Sequence, residues 1–229
     1  MKIEVEGQEI LIRNISYSAK LGLQGEFADV YRNGTEKVKQ KEFNLLLGHT
    51  AEIAFSDPDD ALKKHDYEFQ LKILTACMMD YLGLSDAEKK RRWGLAFCVW
   101  YWVFQPKPHE QFLFPYIGET PVSRQVKEFN SVDDIYEEVQ EISNAIVGKR
   151  TMGQEMWYLV PIFANPQNLL NEESFNLINE FHYITDYNIP LGKTLDETDA
   201  HKLEYFTIIK NEMGVALKHK QEKDAKKKS

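Results

Sequence analysis

Residues 86–104 read DAEKKRRWGLAFCVWYWVF, a charged beginning that leads into the longest apolar stretch of the chain. Ser85 and Glu88 have the three-residue spacing of a capping box, which marks the start of a helix. Residues 93–104 are apolar on every side of such a helix, and a helix of that kind lies inside a core or against a partner. We therefore predict a helix over 86–104 that is central to the fold.

The segments on both sides of this helix predict a mainly α-helical, multi-helix protein. In most of them apolar residues recur at spacings of three and four, the pattern of an amphipathic helix. The further predicted helices span residues 16–32, 36–55, 66–81, 131–147, 172–183 and 196–217. In the first of these, we expect Leu21, Phe27, Val30 and Tyr31 to form the apolar face.

The N-terminus predicts a small β-hairpin over residues 3–12. Ile3 and Val5 alternate with acidic residues, and Gly7 supplies the turn before the second run of alternating residues. This beginning lacks the apolar region of a secretory signal. The longest apolar stretch has twelve residues, whereas a membrane span needs about 20. We therefore expect a cytoplasmic protein that does not associate with a membrane.

Proline and glycine interrupt the helical patterns between residues 105 and 123. We predict a hairpin and helical subdomain over 1–104, a packed Pro-rich loop over 105–123, a C-terminal helical subdomain over 124–217 and a basic tail over 218–229. One compact unit is the alternative. Residues 152–163 are apolar and stay open between strand and helix, because a proline within them limits any helix.

The charge distribution argues against a protein that coats nucleic acid. The 229 residues carry a net charge of -8, and residues 218–229 hold six lysines and two acids, so the remainder carries -12. Proteins that bind nucleic acid rely on cationic contacts to phosphate. Residues 89–92, which read KKRR, and the lysine tail nevertheless leave a nucleic-acid-associated regulatory protein as an alternative.

The familiar motifs of catalysis and cofactor binding are missing from the sequence. It contains no GxxxxGK[ST], GxGxxG, HExxH or CxxC, so the usual phosphate, dinucleotide, zinc and redox motifs do not occur. Cys77 and Cys98 lie in apolar, helix-like runs and are expected to be buried. We expect no catalytic residue, no cofactor and no metal, and a site assembled from distant residues stays open.

Aromatic residues supply the candidate partner-binding positions. Three of the four tryptophans lie in residues 93–104, and more aromatic residues follow in the Pro-rich loop. Aromatic anchors dominate both interfaces and cores, so a core role and a partner-binding role both stay open. The candidate partner-binding residues are Trp93, Phe97, Trp100, Tyr101, Phe104, Phe112 and Phe114.

The first third of the chain has a layout known from one family. The hairpin over 3–13 is followed by the sequence NISY at 14–17, which leads into a helix. Compact helices rich in Asp and Leu come next, with Asp60, Leu62, Asp66, Leu71, Leu74 and Leu82. Over residues 1–84 this layout resembles the tail assembly chaperones and baseplate-hub assembly proteins of tailed bacteriophages.

The resemblance implies a small, acidic, mostly helical protein without enzymatic activity. Proteins of this group hold a long helical tape-measure protein or baseplate-hub subunits until the tail assembles. We therefore expect a protein partner of that kind, in the host cytoplasm during assembly. The alternative within this class is a structural baseplate component that stays in the virion.

Overall fold

The computed structural model describes residues 1–107, 111–145 and 150–228, and it confirms a mainly α-helical fold with an N-terminal β-hairpin. The strands are β1 (Lys2–Val5), β2 (Gln8–Leu11), β3 (Tyr116–Glu119) and β4 (Val126–Phe129). The α-helices are α1 (Tyr17–Val30), α2 (Gln40–Ala54), α3 (Pro58–Leu62), α4 (Tyr67–Tyr81), α5 (Asp86–Phe104), α6 (Val132–Ala145), α7 (Met152–Phe163), α8 (Glu172–Tyr187) and α9 (Ala200–Lys228). The end of α6 that the sequence predicts near residues 147 and 148 lies outside the described residues.

The chain divides into two compact units. The first consists of Met1–Lys89 and Pro190–Glu204, and the second of Lys90–Ile189 and Tyr205–Ser229. The loop at 105–123, which the sequence marks as the boundary between subdomains, falls within the second unit. Residues 190–204 belong to the first unit, so each unit consists of two separate segments of the chain.

The N-terminal hairpin follows its sequence pattern. β1 and β2 are antiparallel and Val5 pairs with Gln8, which leaves a two-residue turn at Glu6 and Gly7. Both turn residues have positive φ, 49° and 79°, as a turn that matches the twist of the strands requires. Ile3 and Val5 point into the core of the first unit.

The first helix begins as the sequence predicts, and Phe27 and Val30 of its predicted apolar face pack against the core of the first unit. The side chain of Ser16 accepts a hydrogen bond from the backbone N–H of Ala19 and so caps α1. Leu23 and Lys20 are the buried residues of α1, whereas the expected core residue Leu21 is 50% exposed. The predicted apolar face is therefore wrong at Leu21. Packing against residues that are distant in sequence determines which face is buried, and local spacing alone does not reveal it.

The aromatic segment at 86–104 forms α5 with the bounds that the sequence predicts. Its start is capped by the Ser85 hydroxyl, which accepts a hydrogen bond from the backbone N–H of Glu88 at 3.1 Å. Leu95 to Trp100 have almost no exposed surface, so this stretch forms part of the second unit's core.

Two segments of the second unit differ from the predictions or decide what the sequence left open. The predicted loop at 105–123 contains β3, which pairs with β4 in an antiparallel hairpin. Prolines on both sides of residues 116–119 hide this strand from a sequence pattern. Residues 152–163 form a helix, α7, with Pro161 in its last turn. Proline there cannot donate a backbone hydrogen bond to the preceding turn, and the helix ends two residues later, at Phe163.

Candidate protein-binding surface

Two of the predicted partner-binding residues are buried in the core of the second unit. Phe97 and Trp100 are 0% exposed. A side chain without exposed surface cannot touch a partner while the fold stays closed. Their assignment to a partner-binding surface is therefore corrected to a role in the core, where the apolar periodicity of α5 also places them.

Three further aromatic residues of α5 are half-buried and pack within the same unit. The rings of Tyr101 and Phe104 lie 5.6 and 5.0 Å from the ring of Trp157, measured between centroids. Trp93 packs against the same core as Phe97. These three residues therefore contribute mainly to packing and expose only part of each ring.

A buried carboxylate explains how the fold accommodates the indole of Trp100. Glu212, on α9, is 5% exposed and accepts a hydrogen bond from Trp100 Nε1 at 2.9 Å. It also accepts hydrogen bonds from the hydroxyl of Thr151 at 2.5 Å and the backbone N–H of Gly153 at 3.0 Å. Thr151 and Gly153 lie at the N-terminus of α7, where the helix dipole favours a negative charge. Three donors thus compensate the burial of this charge, and the arrangement is structural.

Phe112 and Phe114, the remaining predicted residues, lie beside the β3–β4 hairpin. The rings of Phe112 and Phe114 are 5.1 and 5.6 Å from the ring of Tyr116 on β3. Tyr116 stacks on Phe129 of β4 at 5.0 Å with the ring planes 9° apart, and Phe129 contacts Phe163 of α7. Aromatic contacts of this kind stabilise a fold by about 0.5–1.5 kcal/mol each beyond the burial of area. They fix the inner face of the hairpin against the core.

Charged groups anchor the same inner face to α6. Lys127, on β4, forms ion pairs with Glu137 at 2.6 Å and Glu138 at 3.3 Å. Partial burial lowers the pKa of the Lys127 ammonium, but the hydrogen bonds to the two carboxylates outweigh this and leave the pKa raised. Lys127 is therefore charged at neutral pH and connects strand and helix.

Hydrogen bonds also hold the two ends of β4. The carboxylate of Asp134 accepts hydrogen bonds from the backbone N–H groups of Asn130 and Ser131, which lowers the pKa of Asp134. At the other end, in the turn between β3 and β4, Thr120 is 2% exposed and donates its backbone N–H to the carbonyl of Gln125. The hairpin is therefore a fixed platform in the second unit.

The opposite face of this platform is exposed and partly apolar. Ile117 pairs with Glu128, and Glu119 pairs with Val126, so all four side chains project from the same side of the two-stranded sheet. Ile117 is 72% exposed and Val126 is 75% exposed. We call these four residues the outer hairpin face. Two aliphatic side chains lie across its diagonal, and two carboxylates occupy the other diagonal.

Further aliphatic side chains are exposed close to the hairpin in sequence. Leu113, between the two phenylalanines, is 74% exposed, and Val122, in the turn, is 38% exposed. Sequence reasoning selected Phe112 and Phe114 but missed Leu113, Ile117 and Val126. Residues 112–117 are apolar throughout and show no alternation with polar residues, so the sequence does not reveal the exposed side chains among them.

The basic run at 89–92 is compensated by carboxylates of the chain itself. Lys89 forms an ion pair with Asp86, and Lys90 with Asp133 at 2.7 Å. The guanidinium of Arg91 lies 3.6 Å from a carboxylate oxygen of Glu173. Three of the four cations near the start of α5 are therefore balanced by carboxylates. This pairing also leaves these three side chains less available for phosphate.

The first unit contains an ion pair of a buried lysine, a buried histidine beside a carboxylate, and a small cavity. Lys20, 2% exposed, pairs with Glu204 at 2.7 Å, and His201 lies 3.6 Å from the buried Glu88. A cavity of about 220 Å³ lies beside β2, lined by Glu9, Ile10, Leu11, Phe55, Ala61, Leu62, Lys64, His65 and Ile73. It is smaller than most small-molecule sites, which range over about 300–1,000 Å³.

Within residues 1–107, 111–145 and 150–228, no three His, Cys, Asp or Glu side chains are grouped so as to hold a metal ion. No helix in this part of the chain combines the length and the apolar character that crossing a membrane requires.

Comparison with known proteins gave no match: no protein-family model, no curated protein and no solved structure is detectably similar to this chain.

Proposed function

We propose that this protein is a non-catalytic assembly factor of a tailed bacteriophage that binds a helical tail or baseplate-hub protein. The layout of residues 1–84, with its hairpin followed by compact acidic helices, supports the phage assignment. The outer hairpin face supports the binding role. The protein acts in the host cytoplasm while the tail assembles.

One observation carries the binding role: a rigidly anchored hairpin exposes aliphatic side chains on its free face. The side chains of Ile117 and Val126 are 72% and 75% exposed, so their burial contributes little to the stability of the folded chain. A surface that is already fixed before binding loses little conformational entropy when a partner docks, and this favours affinity. Exposed apolar side chains that adjoin one another mark interaction sites more often than those scattered singly, and Ile117 and Val126 adjoin across the two strands.

Capture of the partner tests this proposal. A tagged wild-type protein is expressed in the cells that produce it naturally, and co-purifying proteins are identified by mass spectrometry. We expect a long helical tail protein or baseplate subunits with the wild type. We expect the double variant Ile117→Thr and Val126→Thr to lose these partners. The variant keeps β-branched side chains but reduces their apolar surface.

A matched variant controls for the general effect of losing an exposed aliphatic group. Leu45, on α2 of the first unit, is 65% exposed, and Leu45→Gln is expected to capture as much partner as the wild type. Capture of no structural protein by the wild type, or equal capture by the wild type and the double variant, contradicts the proposal.

The composition of purified particles separates the two versions of the proposal. An assembly chaperone departs before the tail is complete, so quantitative mass spectrometry of virions is expected to lack the chain. A constant number of copies in each particle identifies a structural baseplate component instead.

A further inference from the structure

We infer that the outer hairpin face binds an amphipathic helix whose apolar stripe is flanked by lysine or arginine. This inference rests on the proposed function, because it specifies the chemistry of the partner at the same surface. It follows from the spacing of the two exposed aliphatic side chains and from the charges around them.

The side chains favour a helix over an added strand. Strand addition uses backbone groups at a sheet edge and leaves the side chains of the face uncovered. Ile117 and Val126 are diagonal neighbours on the face, and such neighbours lie about 7–8 Å apart on a pleated sheet. A helix presents apolar residues three and four positions apart along one stripe. One stripe laid across the diagonal therefore covers both side chains.

The charges around the aliphatic pair are predominantly negative. Glu119 and Glu128 share the outer hairpin face, and no ion pair of Glu128 is found in the part of the chain described. Glu119 forms an ion pair with Arg124 at 3.4 Å. In interfaces an apolar centre is surrounded by a polar rim. The rim here is acidic, so the complementary helix carries cations beside its apolar stripe.

α6 packs against the inner face of the hairpin, and its carboxylates add to the negative charge of the second unit as a whole. α6 follows β4 directly and exposes Asp133, Glu137 and Glu141 at four-residue spacing. The first two already form ion pairs with Lys90 and Lys127, whereas none is found for Glu141 among the described residues. The net charge of -8 for the whole chain acts in the same direction over longer distances and attracts a cationic partner.

Two synthetic peptides test the inference directly. Both form the same helix with the same leucine stripe, and they differ only in lysine or glutamate at the flanking positions. Each is titrated into the ¹⁵N-labelled full-length protein, and affinity is measured by fluorescence anisotropy. We expect the lysine peptide to bind about ten-fold or more tightly than the glutamate peptide at 50 mM salt. The difference is expected to shrink at 500 mM salt.

The amide shifts locate the binding. We expect the largest changes on β3 and β4, at residues 116–119 and 126–129. Glu128→Lys is expected to weaken the lysine peptide several-fold and to strengthen the glutamate peptide. Glu36→Lys makes the same charge change in the first unit and is expected to alter neither affinity.

Specific results overturn the inference. Equal affinity for both peptides removes the role of charge, and shifts confined to residues outside the hairpin remove the site. Absence of binding by the lysine peptide removes the helical partner. If the capture of a natural partner still depends on Ile117 and Val126 in that case, the proposed function stands and only its helical, basic version falls.

Discussion

Replacement of Trp100 by alanine is expected to destabilise the protein by about 3–5 kcal/mol. The side chain is 0% exposed, and its ring stacks on Phe104 at 5.7 Å between centroids and lies 6.1 Å from Trp157. A buried tryptophan removes about 200–250 Å² from water, which corresponds to an upper value of about 5–6 kcal/mol at roughly 25 cal/mol per Å². Partial collapse of the cavity and a compact unfolded chain bring this value down to the expected range.

The loss is measured by urea unfolding followed by circular dichroism at 222 nm. In thermal unfolding of a chain of this length, we expect the melting temperature to fall by about 6–20 °C. The m-value is expected to stay unchanged, because the surface exposed on unfolding remains similar. Leu45→Ala, at a 65% exposed position, controls for the assay and is expected to change stability by less than about 0.5 kcal/mol.

A double-mutant cycle separates packing from hydrogen bonding at the same position. Trp100→Phe retains a ring but removes the N–H that donates to Glu212, and a lost hydrogen bond to a charged group costs about 1.5–3 kcal/mol. Combined with Glu212→Gln, the effects are expected to be less than additive, because one change removes the donor and the other removes the acceptor's charge from the same hydrogen bond. A loss below about 1 kcal/mol for Trp100→Ala would refute the assignment of this residue to the core.

Three further predictions follow from the same structure. Gly153→Ala is expected to destabilise the protein by about 1–3 kcal/mol in urea unfolding, because its Cβ would lie 2.6 Å from a backbone carbonyl oxygen of α5. Gly25→Ala, in open space on α1, is expected to stabilise the protein by about 0.4–1 kcal/mol, and equal effects of the two changes would contradict the close packing at Gly153. Burial raises the pKa of the Cys77 thiol to about 12 and also raises the pKa of the Cys98 thiol. We therefore expect neither thiol to react with Ellman's reagent at pH 8 until urea unfolds the chain. Rapid reaction of a thiol in the native protein would contradict this burial. Hydrogen bonds from two backbone N–H groups lower the pKa of Asp134 below its ordinary 3.8, so Asp134→Ala is expected to destabilise the protein at pH 7. The difference in unfolding free energy between wild type and variant is expected to shrink as the pH falls through the lowered pKa. A difference that does not depend on pH would contradict the role of these hydrogen bonds.

Local sequence signals were sufficient for the helices and the first hairpin. Ser85 caps a helix where the sequence predicts, and Ser16 caps the helix predicted over 16–32, because capping involves groups only three residues apart. Gly7 provides the turn for the same reason. The bounds of α5 also follow from its own residues. These features depend on neighbours along the chain, which the sequence displays directly.

The candidate binding surface depends on pairing that the sequence does not display. Ile117 and Val126 share a face only because β3 and β4 pair in one particular register. Likewise, tryptophan is a residue type common in interfaces. Trp100 can bury its N–H in the core because this group donates a hydrogen bond to a carboxylate 112 positions later in the chain. Leu21 and Leu23 on α1 differ in burial for a similar reason, since segments distant in sequence cover one side of the helix.

Site-specific photo-crosslinking tests the central claim most directly. A benzophenone amino acid is placed at Ile117, or at Leu45 as a control with comparable exposure, and the protein is irradiated in the cells that produce it. The account predicts that position 117 crosslinks to one structural tail or baseplate protein and that position 45 does not. Crosslinking of that protein from position 45 but not from position 117, or no crosslink from 117 while the partner is present, would contradict a partner-binding role for the hairpin.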